Sequence, residues 1–200
     1  MCKYGSFKTI RHSRLVKQLR AILRESGAVV SPREVEVPAW RQQTGQTARL
    51  DVAFVAGGVR TYVDVTVRHP KAAKYRARAC QLDGAAAGVA EAAKLARYPD
   101  LAAAGLLAAV PFAVETYGRM GPGARRLLAA ARQRVAELDE RMQGWAVVAL
   151  SQRWQALLSC DLQRSLHEAA QASWGAPGPL QANGPDEAGS LLAAVLDFAH

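Results

Sequence analysis

Cysteine is scarce in this chain, and the few cysteines lie far apart. Cys2, Cys80 and Cys160 are the only three, and no two of them form a C-x-x-C pair. From them neither a disulfide framework nor a complete zinc site can be built. The scarcity favours a reducing compartment, and we therefore expect an intracellular protein, nuclear if the source is eukaryotic.

Long apolar runs are missing as well. The stretch LAAAGLLAAVPFAV at residues 101–114 is too short for a bilayer span and is interrupted by Gly105 and Pro111. The basic N-terminus is not followed by the apolar segment of a secretory signal. We therefore expect a soluble protein with no membrane partner.

Acidic residues are few in the first quarter of the chain. Residues 1–50 carry ten Lys or Arg and three Asp or Glu, whereas residues 151–200 carry two and five. The whole chain has a formal charge of +9. A basic excess that is concentrated in one region is typical of a surface that binds a polyanion.

Apolar periodicity predicts the elements of the first half. A helix is expected over 13–25 and an Ala-rich helical region, weakened at Gly84 and Gly88, over 71–97. Between them, alternating residues predict a three-stranded meander, with strands over 33–40, 48–58 and 59–67. Gly57 and Gly58 form the turn between the last two strands.

A fourth strand is predicted within 106–118, followed by helices over 122–142 and 145–172. The fold class is therefore α/β, with a small mixed sheet in the order helix, three strands, helix, strand, and with added C-terminal helices. The domain division follows this order, with a core over 1–120, a helical extension over 121–173, and a linker with a short terminal helix over 174–200.

Two aspartates flank the predicted turn at nearly equal distances. Asp51 lies in the second strand and Asp64 in the third, and residues whose numbers add to 115 face each other in such a hairpin. Facing carboxylates repel each other, and a divalent cation such as Mg²⁺ removes the repulsion. The alternative is that one aspartate faces solvent at a strand end and the other hydrogen-bonds a loop.

The segment RLDVAFVAGGVRTYVDVTVRHP, followed by EAAKLARY, resembles the restriction-like endonuclease domain of site-specific non-LTR retrotransposons, a branch of the PD-(D/E)xK superfamily. The resemblance spans about residues 10–120, and VPFAVETYGRMGP is similar to later segments of retroelement-derived reading frames. It implies a restriction-endonuclease-like fold and Mg²⁺-dependent hydrolysis of DNA phosphodiesters. The partner would be DNA, with RNA as an alternative.

The resemblance also implies roles for single residues. The family's two aspartates fall on Asp51 and Asp64, as catalytic residues and metal ligands, and its lysine, which in this branch lies on the following helix, falls on Lys94. Arg97 and Tyr98 complete this motif as auxiliary residues. The alternative for Lys94 is an ordinary solvated helix lysine.

The sequence departs from the family at three points. Leu50 stands where the superfamily often has proline, and Thr66 occupies the strand position where most members carry the lysine. A cysteine–histidine knuckle is absent, with Cys2 and His12 as its conceivable remnants.

Other polar residues are assigned with alternatives. Glu36 is an auxiliary metal ligand or an exposed strand residue beside Glu34, and His69 is a proton shuttle near Asp64 or a turn histidine. Eight basic residues are expected to contact DNA phosphates: Arg14, Lys17, Arg20, Arg24, Lys71, Lys74, Arg76 and Arg78.

Two alternatives to an active endonuclease remain open. The first is a decayed, non-catalytic nucleic-acid-binding module, favoured because 200 residues cannot also hold a reverse transcriptase. The second is a helical interaction module in which residues 122–172 dock a partner and the sheet is scaffold.

Overall fold

The computed structural model describes residues 5–41, 45, 47–97, 108–139 and 144–174. Within these ranges the chain forms five helices and six strands. In chain order they are α1 (Gly5–Glu25), β1 (Val29–Val30), β2 (Val35–Arg41), β3 (Thr47–Leu50), β4 (Val52–Ala56), β5 (Val59–Arg68), α2 (Ala73–Ala79), α3 (Ala85–Arg97), β6 (Ala108–Glu115), α4 (Pro122–Leu138) and α5 (Trp145–Trp174).

The strands of the main sheet lie in the order β1-β4-β5-β6. β6 runs parallel to β5, whereas β4 is antiparallel to both β1 and β5, and the sheet is therefore mixed. β2 and β3 form a separate antiparallel pair. The predicted class, α/β with a small mixed sheet, is confirmed.

The two faces of the main sheet are covered differently. Val63 and Val65 of β5 belong to the same apolar core as Leu19 of α1, Leu128 of α4 and Trp154 of α5. Because side chains alternate along a strand, Tyr62, Asp64 and Thr66 point to the other face. There α3 packs on β5 and β6 through small side chains.

The predicted strand over 48–58 and the three-stranded meander are wrong. The chain bends at Asp51, and the residues before and after the bend pair with different partners: Leu50 with Val35 of β2, and Val52 with Val63 of β5. Leu50 and Val52 are both fully buried, but in different apolar clusters. Alternation in the sequence is the same on both sides of the bend and does not reveal the change of sheet.

α1 begins eight residues earlier than predicted, at Gly5. The helical region over 71–97 divides into α2 and α3 next to Gly84, one of the two glycines expected to split it, which is in the left-handed conformation at φ 75°. The predicted linker and terminal helix lie outside the described residues. None of the described helices is both long and apolar enough to cross a membrane.

Candidate functional site

The hairpin of β4 and β5 has the predicted register. Its pairs run from Val52↔Val63 to Ala56↔Val59, and in each pair the residue numbers add to 115. Asp51 comes one residue before β4 and stands opposite Asp64, but it lies in the bend and not in the strand. The two aspartates are therefore neighbours at the end of a ladder and not partners within it.

The side chain of Asp51 binds the backbone of β5 just beyond the point where pairing with β4 stops. Its Oδ2 accepts a hydrogen bond from the backbone N–H of Val65 at 2.6 Å. His12 Nε2 lies 3.2 Å from the Val65 carbonyl oxygen and 3.3 Å from Asp51 Oδ2. Arg20 donates to the Asp51 carbonyl oxygen at 2.6 Å, which ties the bend to α1.

The contact with Asp51 changes the pKa of His12. Its hydrogen bond with Asp51 raises the pKa of the imidazole above the ordinary 6.5, although partial burial acts in the opposite direction. His12 is therefore a cation partner of Asp51 at mildly acidic pH. The sequence suggested His12 only as a remnant of a zinc knuckle, because a histidine on a helix does not reveal which strand end it faces.

Asp64 is buried, with 5% of its surface exposed, and Lys94 of α3 is its cation partner. Lys94 Nζ donates to Asp64 Oδ2 at 2.7 Å. The approach of α3 depends on small residues, since Ala87 and Ala90 pack directly against Ala113 of β6. On α3, Ala86, Ala87 and Ala90 are buried, whereas Ala93 and Ala96 are exposed.

Each carboxylate of the pair thus has a basic side-chain partner, which is Lys94 for Asp64 and, when protonated, His12 for Asp51. The repulsion expected between facing carboxylates is offset by these two partners. The four side chains remain accessible to different degrees, with exposed fractions of 34% for His12, 14% for Asp51, 20% for Lys94 and 8% for Asp64. An ion or a phosphate group can reach the lysine and the histidine from solvent.

The donor set was compared with what a metal ion requires. Within the described ranges, no three His, Cys, Asp or Glu side chains come close enough together to hold a metal ion. Mg²⁺ commonly takes only one or two carboxylates and completes its shell with water and phosphate oxygens. Asp51 and Asp64, neighbours at the end of the ladder, supply the one or two carboxylates of this smaller requirement.

Glu36 lies on the β2–β3 sheet and is exposed. Its carboxylate accepts from Arg49 at 2.9 Å across that sheet. Glu36 lines an open depression of about 600 Å³ together with His12 and Arg20. It therefore lies on the solvent side of the site, with Arg49 as its partner.

His69 lies at the far end of β5. It is buried, and its Nδ1 is 2.8 Å from Thr116 Oγ1. Five residues of extended chain separate it from Asp64, which corresponds to roughly 16 Å. This distance is too long for direct proton transfer to a group bound at Asp64.

The predicted DNA-contacting residues fall into two groups. Arg14 is bound to Glu168 of α5 at 2.8 Å, and Arg20 is bound to the Asp51 carbonyl, so both have structural partners. The exposed members are Lys17, Arg24, Lys71, Lys74, Arg76 and Arg78. Arg97 is exposed at the end of α3, and Tyr98 lies outside the described residues.

Two buried glutamates escaped the sequence reasoning. Glu91 accepts from the backbone N–H groups of Gly123 (2.8 Å) and Ala124 (3.2 Å) at the start of α4. Glu115 accepts from Ala86 at 2.9 Å at the start of α3. A glutamate on an alanine-rich face is a weak signal for this role, since the helix terminus that it caps is distant in sequence.

Comparison with known proteins adds no assignment. No family model matches the sequence, and no curated protein matches it significantly. Functional inference therefore rests on the residues and on their geometry.

Proposed function

We propose that the protein is a metal-dependent DNA endonuclease of retroelement origin with a restriction-endonuclease-like core, which hydrolyses a phosphodiester bond at Asp51, Asp64 and Lys94. The observation that supports this proposal is the contact of 2.7 Å between Lys94 Nζ and Asp64 Oδ2, next to Asp51. It joins a residue of α3 to a residue of β5, beside the bend that holds Asp51. A lysine that is only solvated on the surface of α3 would point into water and would not contact a buried aspartate.

The chain's own residues have distinct roles in this proposal. Asp51 and Asp64 would hold Mg²⁺, which when bound polarises the phosphate and lowers the pKa of water. Lys94, one-fifth exposed, turns its ammonium group from Asp64 to a phosphate oxygen and stabilises the charge that develops there. His12 leaves Asp51 to a bound cation and offers its Nε2 proton to the entering phosphate.

The exposed basic residues of α1 and α2 supply affinity for the DNA backbone. Lys17 and Arg24 lie on the solvent face of α1, and the four basic residues at and before α2 are also exposed. Contacts of this kind bind phosphates without regard to sequence and weaken as salt rises. They would hold a duplex while the aspartate pair acts on one strand.

A non-catalytic nucleic-acid-binding module is the second candidate. One observation favours it: both aspartates already have basic side-chain partners, and when His12 is protonated two positive charges face the two carboxylates without a metal. In that case the network only stabilises the sheet edge, and the basic surface is the functional part.

Nicking of supercoiled plasmid separates the two candidates. The wild-type protein is expected to nick in Mg²⁺ and not in EDTA, and Asp51→Asn is expected to bind DNA without nicking. Arg132→Gln removes an exposed charge from α4 and serves as the control that should nick normally. DNA binding without nicking in any divalent cation would favour the non-catalytic module, and the absence of both binding and nicking would refute both candidates.

A further inference from the structure

A second depression lies at the carboxyl ends of β5 and β6, away from the aspartate pair. Its volume is about 540 Å³, and its walls include the apolar side chains of Pro70, Ala79 and Leu82, the ring of Tyr117, and the polar side chains of Glu115 and Arg119. β5 and β6 are parallel, and ligands of α/β sheets commonly bind outside the carboxyl ends of parallel strands. The depression has a volume within the usual range for small-ligand sites.

Tyr117 presents a partly exposed aromatic ring at this depression. It is 45% exposed, and its ring packs against that of His69 with centroids 5.5 Å apart and an interplanar angle of 62°. His69 is itself buried and bound to Thr116, so the tyrosine packs on a well-positioned neighbour. An exposed aromatic ring provides a surface on which another ring can stack.

The charge around this ring is basic. Lys71 Nζ lies over the Tyr117 ring, 5.9 Å from its centroid, so a base that stacks there displaces this flexible ammonium group toward its own phosphate. α2, which has no acidic residue in its sequence, continues the basic surface with Lys74, Arg76 and Arg78. The two acids at the depression are already engaged. Asp83 binds Arg119 at 2.6 Å, and Glu115 accepts backbone N–H groups of α3. An anion therefore meets free positive charge beside an aromatic surface.

We infer that this depression binds an unpaired nucleotide, with its base stacked on Tyr117 and its phosphates bound by Lys71 and the basic residues of α2. Aromatic stacking combined with a basic track is the general mode of single-strand recognition. A duplex cannot use such a ring, because its bases are stacked on one another. An isolated exposed tyrosine is common on protein surfaces, but here the ring, the cavity and the cations coincide.

This inference rests on the proposed function, because it requires the nucleic acid to extend from the aspartate pair to the depression beyond the end of β5. From Asp64 to Arg68 the strand advances about 13 Å, which corresponds to about four nucleotides at the rise of a stacked strand. The substrate class that follows is DNA with an unpaired segment a few nucleotides from the cleaved bond. Fully paired DNA would bind through the basic surface alone.

Fluorescence anisotropy in EDTA tests the site without any cleavage. The probes are a labelled single strand of mixed sequence, the same strand with abasic positions, and a duplex of the same length. The variants are Tyr117→Ala, Tyr117→Phe, which keeps the ring, and Trp145→Ala, which removes a more exposed aromatic side chain, 83% exposed, from α5. Thermal melting of each variant checks that the fold is intact.

Tyr117→Ala is expected to weaken single-strand binding about tenfold, which is the effect of losing one stacked base. Tyr117→Phe, Trp145→Ala and all duplex affinities should stay within about twofold of the wild type. The abasic strand should bind the wild type and Tyr117→Ala equally, because it has no base to stack.

Equal binding of the intact single strand by the wild type and Tyr117→Ala would overturn the inference and leave the endonuclease proposal standing. Equal losses on the intact and abasic strands would also overturn it, since the tyrosine would then act on the backbone. If the wild type binds none of the three probes, both the inference and the proposed function fail.

Discussion

Two pairs of acids with little exposure to solvent lie in this protein, and their charges are compensated in different ways. Glu91 and Glu115 accept hydrogen bonds from backbone N–H groups at the starts of α4 and α3. Asp51 and Asp64 lie at the bend before β4 and in β5, and their cationic partners are the side chains of His12 and Lys94. The first pair binds groups that are fixed by the backbone, and the second pair binds groups that can move.

The surroundings of Glu91 show how fixed the first arrangement is. A side chain at Gly121 would collide with the Glu91 carboxylate, and one at Gly123 would collide with the Pro111 carbonyl oxygen and come into tight contact with Glu91. These glycines let α4 begin directly against the acid, where the helix dipole favours a negative charge. Glu91 cannot leave without exposing the N-terminus of α4.

The aspartate pair differs because its cations lie on flexible side chains and can be exchanged for others. A carboxylate that releases a lysine can accept a metal ion, and the released lysine can bind a phosphate. The comparison therefore distinguishes acids that hold the fold from acids available for chemistry. Substitutions in the two pairs should separate stability from activity.

The largest effect is expected for Asp64→Ala. If Asp64 holds the catalytic cation, its loss should lower the nicking rate by at least about 1000-fold, because several kcal/mol of charge stabilisation are removed from the transition state. The fold should survive, since Lys94 is partly exposed and can turn to water. Nicking assays and a thermal melt measure the two effects, and a collapsed melting transition with this variant would place Asp64 among the structural acids.

Glu91→Ala should give the opposite result. Loss of the acid leaves the first N–H groups of α4 without their acceptor in a buried position, and we expect a loss of about 3 kcal/mol in the free energy of unfolding. Urea denaturation followed by circular dichroism measures it. Glu91→Gln, which keeps an acceptor oxygen, should lose about half as much.

The matched control for Glu91 is Glu137→Ala on the solvent side of α4, where the carboxylate accepts from Gln133 at 2.9 Å. Its effect on the free energy of unfolding should stay within about 0.5 kcal/mol. If Glu91→Ala were as stable as this control, Glu91 would not be an acid that stabilises the fold, and the distinction between the two acid pairs would fail.

Lys94→Ala is expected to lower the nicking rate about 100-fold while Mg²⁺ affinity stays the same or rises, since a cation that competes for Asp64 is removed. Rates at saturating Mg²⁺ and a Mg²⁺ titration separate these effects. Lys94→Arg should recover little activity, because a planar guanidinium does not reproduce a compact ammonium group. Wild-type rates with Lys94→Ala would exclude the lysine from catalysis.

A second-site change sharpens the test of Lys94. Thr66 lies two residues beyond Asp64 on the same face of β5, at the position where the resembled superfamily most often has its lysine. Thr66→Lys in the Lys94→Ala background is expected to restore part of the lost rate. A double variant no faster than Lys94→Ala would limit the proposal to a lysine on the helix.

The smallest effect is expected for the pair of His12 and Asp51. The hydrogen bond to Asp51 raises the pKa of folded His12 above 6.5, so its contribution to stability is complete below that pH and is lost as pH rises through the raised pKa. In EDTA at pH 6, the free energy of unfolding of the wild type should exceed that of His12→Gln by less than about 1 kcal/mol, because the pair is partly exposed. The difference should shrink at pH 9, and urea titrations at both values check it. A constant difference would mean that the imidazole stabilises the site without its charge.

Local sequence patterns were sufficient to predict the hairpin of β4 and β5, but they did not predict the structure around it. The turn at Gly57-Gly58 and the alternation around Val63 and Val65 predicted the register that sets Asp51 opposite Asp64. The same alternation concealed the bend at Asp51, because Leu50 and Val52 are equally apolar and are buried in different clusters. Nothing in the residues near His12 indicated that its ring reaches the bend before β4.

The sequence by itself determined the α/β composition, the order of most elements and the spacing of the two aspartates, since these follow from apolar periods and from turn residues close along the chain. Only the tertiary structure decided which cation meets which acid. Lys94 reaches Asp64 across 30 positions, and Glu91 reaches the start of α4 across 32. Such contacts depend on how closely α3 can approach β6, which is set by the packing of Ala87 and Ala90 on Ala113 and not by any local preference of the residues that meet.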